Sequence, residues 1–165
     1  MHHVNWPQQQ TELHFSPPRE LRCFTHRPRS LHDLLANALA HHPHHTALVC
    51  EDQRLTYAQL NQRVGELAAS WQALGIQAGD RIALLLANRI EFVICLMAAT
   101  RLGAITVPLS AREQTPGLHY MLQHCAAVML VHEAELAGVV PAPDSLTQLR
   151  WRVSIGACED SIPIA

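Results

Sequence analysis

Four histidines crowd a single proline: His41, His42, His44 and His45 surround Pro43. Imidazole is a common metal ligand and carries protons near neutral pH, and a His-rich tract can hold a metal loosely. Tight sites show a characteristic spacing, such as HExxH or paired Cys and His, and none accompanies this tract. The tract falls where a helix is expected to end, and an imidazolium there is favoured by the helix dipole. That local role suits it better than ligation. His119, His124 and His132 are scattered. His124 precedes Cys125, and the two types together can make a thiol nucleophile; neighbours on a helix, however, point in different directions. Arg81, Arg89, Arg101 and Arg112 carry the guanidinium fork that grips phosphate, although capping and solvated roles are more usual. Asp80 stands before a strand, at the wrong edge for ligand work in an open sheet, and reads as a turn residue.

The phosphate and acyl-transfer fingerprints are missing. No GxGxxG follows the apolar run ending at Leu86, where Ala87, Asn88 and Arg89 come instead, and no GxxxxGK[ST] loop or GxSxG elbow occurs. All twelve basic residues are arginine, so no lysine is present to serve as a phosphate ligand, base or nucleophile. These residues therefore assign no catalytic, cofactor-binding or metal-ligating position. The net charge of -2 attracts neither nucleic acid nor an anionic membrane. Five cysteines, odd in number and without a CxxC pair, read as small hydrophobes in a reduced, cytoplasmic chain. The opening MHHVNWPQQQ lacks the apolar core of a signal peptide. The unbroken run Phe92 to Ala99 is too short to span a bilayer, which takes roughly 20 residues.

The elements that would position any site follow from periodicity. Residues 1–29, with Pro7, Pro17, Pro18 and Pro28, read as an irregular arm. Ser30 and Asp33 have capping-box spacing, and Leu31, Leu34, Leu35, Ala38 and Leu39 recur on one helical face up to Pro43. Thr46 to Cys50 is a short strand, with Gln53 to Leu55 a partner across the Glu51-Asp52 turn. Thr56 and Gln59 box the next helix, whose apolar stripe includes Leu60, Val64, Leu67, Ala68, Trp71 and Leu74, with Gly75 as its left-handed stop. Trp71 reads as core rather than a stacking platform.

Three unalternating apolar strands come next, at 81–86, 104–107 and 127–131. Strands buried on both faces read this way. Helices at about 89–102, capped by Asn88 with Glu91, and 116–124, capped by Thr115 with Pro116 at its first position, separate them. With the helix at 57–74, this predicts a three-layer, doubly wound α/β fold with a mostly parallel sheet. A further strand is expected at Arg150 to Ser154. Gly156 to Ala165 shows no clear element.

In order and spacing, several segments resemble the opening of the adenylate-forming, or AMP-binding, superfamily: Ala47–Val49, Leu55–Leu60 (LTYAQL), Leu74–Ala83 (LGIQAGDRIA), Asn88–Phe92 (NRIEF), Arg101–Ile105, Pro108–Ala111 and Leu118–Leu122. The resemblance runs over roughly 30–155. It implies that residues 30–155 are the N-terminal part of an AMP-binding domain, behind an arm at 1–29 and before a truncated tail at 156–165.

It further implies a parent that activates a carboxylic acid with ATP and Mg²⁺ and passes the acyl group to CoA. The family's phosphate-binding loop, adenine segment, ribose-binding aspartate, hinge and C-terminal lysine have no matching positions here. No functional residue or cofactor therefore carries over to this chain, which is expected to be inactive alone. The implied partners are the remainder of the AMP-binding domain and the C-terminal domain. An exposed sheet edge and apolar face predict self-association where these are absent. The segments at Ala87–Phe92 and Ile105–Arg112 look more like a fatty-acid or carnitine-related CoA ligase. Two other readings stand beside it: a nonribosomal-peptide-type adenylation domain, and a non-catalytic assembly module.

Overall fold

The computed structural model describes residues 8–158 and 161–164. Two antiparallel hairpins lead. β1 (Gln9–His14) pairs with β2 (Arg19–Phe24), and β3 (Thr46–Cys50) pairs with β4 (Gln53–Thr56). The first of these lies in the stretch expected to be irregular. Its prolines fall in the loop at Pro17 and Pro18, outside the ladder, so they do not interrupt pairing.

Between the hairpins runs α1 (Leu31–His41). Ser30 caps it by accepting a hydrogen bond from the Asp33 amide at 3.0 Å. The reciprocal bond of the expected box is displaced by one residue, because Asp33 accepts from the Arg29 amide at 3.2 Å rather than from that of Ser30. Only Leu35 of the α1 stripe is buried, and Leu31 and Leu34 lie about half exposed. In α2 (Tyr57–Ala73) both halves of the Thr56–Gln59 box form, at 2.9 and 3.2 Å.

The main sheet has five strands in the order β6-β5-β7-β8-β9, all parallel: β5 (Arg81–Leu85), β6 (Ile105–Leu109), β7 (Met129–Glu133), β8 (Trp151–Ile155) and β9 (Ile162–Pro163). β9 lies in the tail where no element was expected; two residues carry too little pattern to be read. α3 (Ile90–Arg101) joins β5 to β6 and α4 (Thr115–His124) joins β6 to β7. No α-helix joins β7 to β8; two 3-10 turns, Ala134–Val139 and Pro143–Ser145, take its place.

Alternate residues of each buried strand serve opposite faces. Ile82 and Leu84 of β5, with Met129, Val131 and Val153, pack with α2 and α3. Ala83 and Leu85, with Leu130, pack with α4 and the 3-10 segment through Leu118, Leu122 and Leu146. Both faces of the central strands are thus covered, where a bare apolar face was expected. Exposed large apolar side chains remain on the edge strands, at Ile105 of β6 and Ile162 of β9, and off the sheet at Leu13 and Phe15 on the first hairpin and Leu31 and Leu34 on α1. Pro108 does not close β6, which continues to Leu109. β6 is the edge strand, where a residue without an amide proton costs the ladder nothing if its nitrogen faces outward.

Three helices end alike. At the ends of α2, α3 and α4 the amides of Ile76, Ala104 and Ala127 reach back to the carbonyls of Trp71, Ala99 and Leu122. This is the Schellman pattern, which needs a left-handed residue just past the cap. Gly75 (φ 83°) and Gly103 (φ 71°) supply it cheaply, while Ala126 does so at φ 50°. Two N-termini differ from expectation. α3 is capped by Arg89 rather than Asn88, with no side-chain cap bond, and α4 by Gln114, which moves Thr115 inside the helix.

Of the five cysteines only Cys95, on α3, is buried, and burial pushes its thiol up to about 12. Thiol labelling of the native chain at neutral pH is therefore expected to spare Cys95, and unfolding in denaturant to release it; modification of Cys95 in the native state would contradict this packing.

Candidate functional site

The strand order reverses at β5, which lies between β6, reached first, and β7, reached second. In open α/β sheets ligands bind outside the carboxyl ends of the strands at such a point. Here that point is a cleft of about 230 Å³. Ala87, Asn88 and Arg89 follow β5, Glu133 ends β7, and Glu91 opens α3; Cys50, Glu51 and Gln53 of the second hairpin form the opposite wall.

Ala87, Arg89, Glu91 and Glu133 pair with one another across the cleft. The Ala87 amide donates to Glu133 Oε1 at 2.7 Å. Arg89 Nε donates to Glu91 Oε2 at 2.8 Å, and its Nη1 lies 3.8 Å from Glu133. The Arg89 guanidinium is held above its ordinary value, chiefly by the bond to Glu91. Burial raises the Glu91 carboxyl, but the hydrogen bonds from Arg89 and its own backbone outweigh this and leave it lowered. The cleft therefore presents one arginine against Glu91, Glu133 and Glu51. A polyphosphate needs converging donors and net positive charge, so these residues do not fit one. Nor do they favour Mg²⁺, since Arg89 stands between Glu91 and Glu133 and its positive charge opposes a dication there.

The other candidate arginines are not brought together here. Arg81 starts β5, at the opposite edge of the sheet. It donates to the carbonyls of Gly79, Cys125 and Ala126, each at 2.9 Å. Arg101 reaches from α3 to Asn61 of α2 at 2.6 Å, and Gly65 leaves it room: a Cβ there would lie 3.0 Å from the guanidinium. Arg112 lies in the loop after β6. Asp80 acts in its turn, accepting from the Gln77 amide and from Arg150, both at 3.0 Å.

His124 stacks on Tyr120, and the Cys125 thiol bonds the Leu122 carbonyl at 3.6 Å, so the adjacent pair makes no dyad. In the histidine tract His42 stacks on His45 with ring centres 4.8 Å apart, and His41 Nδ1 bonds the Asn37 carbonyl at 2.8 Å. The rings thus serve local packing and the helix end.

Two arrangements escaped the sequence. His132 is buried, with Nδ1 2.8 Å from the Glu133 carbonyl and Nε2 2.9 Å from Ser161 Oγ. A carbonyl can only accept, so Nδ1 donates to it, and the Ser161 hydroxyl, which can donate or accept, partners Nε2. The pair spans 29 residues with no motif, and it ties the segment before β9 to β7. Secondly, Glu12 and His14 of β1 and Cys23 of β2 bring three potential ligand atoms within 4.8 Å of one another. A carboxylate and an imidazole at i and i+2 of a strand share a face, but an arm read as irregular has no faces.

No helix among the described residues is long and apolar enough to cross a membrane.

Comparison with known proteins decides the family. The model of the AMP-binding enzymes matches residues 35–160. The chain belongs to the AMP-binding, adenylate-forming family. The match is an amino-terminal, partial one, and CoA ligases are among the relatives.

A medium/long-chain-fatty-acid–CoA/3-oxocholest-4-en-26-oate–CoA ligase of Mycobacterium marinum is 36% identical over 105 residues, covering 64% of this chain and 19% of that protein. A crotonobetaine/carnitine–CoA ligase of Escherichia coli is 37% identical over 112 residues, covering 65% of this chain and 21% of that protein. This AMP-binding chain thus spans about a fifth of the length of the curated relatives it matches. Among solved structures, a Mycobacterium tuberculosis fatty acyl CoA synthetase superposes with a TM-score of 0.67 at 31% identity, covering 78% of this chain and 26% of that one. The N-terminal domain of FACL13 from Mycobacterium tuberculosis superposes at 0.68 with 30% identity, covering 79% and 34%.

Proposed function

We propose that this chain supplies the N-terminal wall of an ATP-dependent carboxylate–CoA ligase and does not catalyse the reaction by itself. The match to the AMP-binding family over residues 35–160, with CoA ligases among the relatives, carries the first half. The chemistry of the cleft carries the second. ATP would supply the activating phosphoanhydride and CoA the accepting thiol. The residues present would do neither more nor less than shape and close a wall: Ala87–Glu133 and Arg89–Glu91 lock the crossing of β5, β7 and α3, and the paired Arg89 is not released to receive phosphate. Without a lysine or a donor-lined loop, charge developing at a phosphorus would meet no stabilising group. In this proposal residues 30–155 form one structural unit, and the catalytic groups come from protein outside this chain.

The test is pyrophosphate release from ATP with fatty, short-chain and aromatic carboxylates, with and without CoA. The chain alone is expected to show no carboxylate-dependent release. The full-length protein is expected to make acyl-CoA. Turnover by the chain alone would overturn the inert assignment, and loading of an aminoacyl group onto a carrier protein by the full-length form would transfer the parent to the adenylation-domain class.

A further inference from the structure

The family match begins at residue 35, so nothing in it accounts for the first hairpin, β1–β2. On one side of that hairpin a carboxylate, an imidazole and a thiol converge. His14 Nε2 lies 3.0 Å from Glu12 Oε2 and 3.7 Å from Cys23 Sγ. All three residues are partly exposed, so an ion could reach them. Zinc bonds nitrogen and carboxylate oxygen at about 2.0–2.2 Å and thiolate sulfur at about 2.3 Å in a tetrahedron. Those bond lengths place an N···O edge at about 3.4 Å and an N···S edge at about 3.6 Å. The two separations in the hairpin come within a few tenths of an ångström of these edges; the third, between Glu12 and Cys23, lies within 4.8 Å and would close toward about 3.6 Å around the ion.

Arg27 complicates the site. Its Nη1 and Nη2 bond the two oxygens of Glu12 at 3.0 and 2.7 Å, and Nη2 lies 3.3 Å from His14 Nε2. The guanidinium thus stands beside the position a metal would take. It also holds the Glu12 carboxyl down at about 2, with help from Gln10 and His14. A carboxylate has lone pairs for both a guanidinium and a metal, but the positive charge of Arg27 opposes a dication a few ångströms away.

We propose that Glu12, His14 and Cys23 form a zinc-binding site whose affinity is held down by Arg27. Neutral His14 binds through Nε2, Glu12 through Oε2, and Cys23 as thiolate, its proton passing to solvent on binding. Water fills the fourth position. The mixed S, N, O set favours Zn²⁺ over Mg²⁺ or Ca²⁺, which take oxygen ligands. Because the ligands come from both strands, the ion would staple the hairpin. The ordered N-terminal segment, rather than the AMP-binding fold behind it, would gain from the ion.

Co²⁺ is the probe, because thiolate coordination gives a near-ultraviolet charge-transfer band and a tetrahedral site gives intense visible bands. The reduced, metal-stripped full chain is titrated with Co²⁺ and then with Zn²⁺. One equivalent of thiolate-bound Co²⁺, displaced by Zn²⁺, is expected. Cys23→Ser is expected to abolish the charge-transfer band, and Glu12→Gln to weaken binding. Arg27→Gln is expected to tighten binding about tenfold or more, since it removes a unit charge beside the ion. Far-UV circular dichroism checks that each variant folds, and the tightening by Arg27→Gln is a gain that misfolding would not produce. The histidine tract at 41–45 would bind without a thiolate band. Absence of the band at millimolar Co²⁺, its survival in Cys23→Ser, or unchanged affinity in Arg27→Gln would each overturn the proposal.

Discussion

Replacing Trp71 by alanine is expected to remove about 3–5 kcal/mol of folding free energy, the usual cost of truncating a buried large aromatic. Trp71 is 1% exposed and lies in the core between α2, α3 and the sheet, among residues such as Val64, Ala68, Ile82 and Ala98. Three things add up there. The transfer free energy of the indole is lost, a cavity is left that a close-packed interior fills only partly, and the loss falls in the last turn of α2. The Trp71 carbonyl accepts the Ile76 amide in the motif that turns the chain toward β5. Domains are stable by about 5–15 kcal/mol, so the loss is about a fifth of the total or more. Urea unfolding followed by far-UV circular dichroism measures the effect. Trp71→Phe, which keeps most of the volume, is expected to cost clearly less. A Trp71→Ala penalty below about 1 kcal/mol would mean that the indole is not the centre of this core, since such penalties belong to surface changes.

The second large effect concerns Arg81, which by residue type alone could be a phosphate ligand. Its guanidinium bonds three carbonyls: Gly79 in the turn before β5, and Cys125 and Ala126 at the end of α4. Arg81→Ala is expected to cost about 2–4 kcal/mol, because hydrogen bonds from a charged donor contribute about 1.5–3 kcal/mol each without adding fully, and the carbonyls are left short of a donor. Ala126 adds to the cost. It holds a left-handed conformation that disfavours a side chain, and the Arg81 bond helps fix it there. Arg81→Lys is expected to recover only part of the loss, since one ammonium cannot span three acceptors as the planar fork does. Denaturant midpoints with unchanged slopes would report this as stability. If Arg81→Ala left stability unchanged and weakened nucleotide binding in the full-length protein, Arg81 would be a ligand residue after all.

Trp71 shows where the linear pattern was sufficient. Trp71 stands in a 3.6-residue stripe, and a stripe implies a buried face whatever it packs against. Likewise the apolar runs of β5 and β7 are buried on both faces as their composition requires, while β6 lies at the edge with Ile105 53% exposed, and Gly75 ends its helix. The parallel sheet, the covering helices and the family were therefore written in local periodicity and in the order of short segments.

Position in space was not. Arg81 and Arg89 are eight residues apart and read alike, yet β5 places them at opposite edges of the sheet. One becomes a clamp on α4 and the other half of an ion pair with Glu91. The cap of α3 shifted from Asn88 to Arg89 because tertiary partners outweigh a few tenths to 2 kcal/mol of capping preference. The strand expected at 104–107 runs on through Pro108 to Leu109, because a proline on an edge strand lets the ladder continue.

The first hairpin, the His132–Ser161 bond and the convergence of Glu12, His14 and Cys23 depend on register and chain return. Pairing Gln10 with Cys23 and Glu12 with Leu21 puts the three side chains on one surface. Composition and periodicity describe what each residue prefers over a few neighbours. Which distant groups meet is decided by the sheet order and the strand register, and these belong to the whole folded chain.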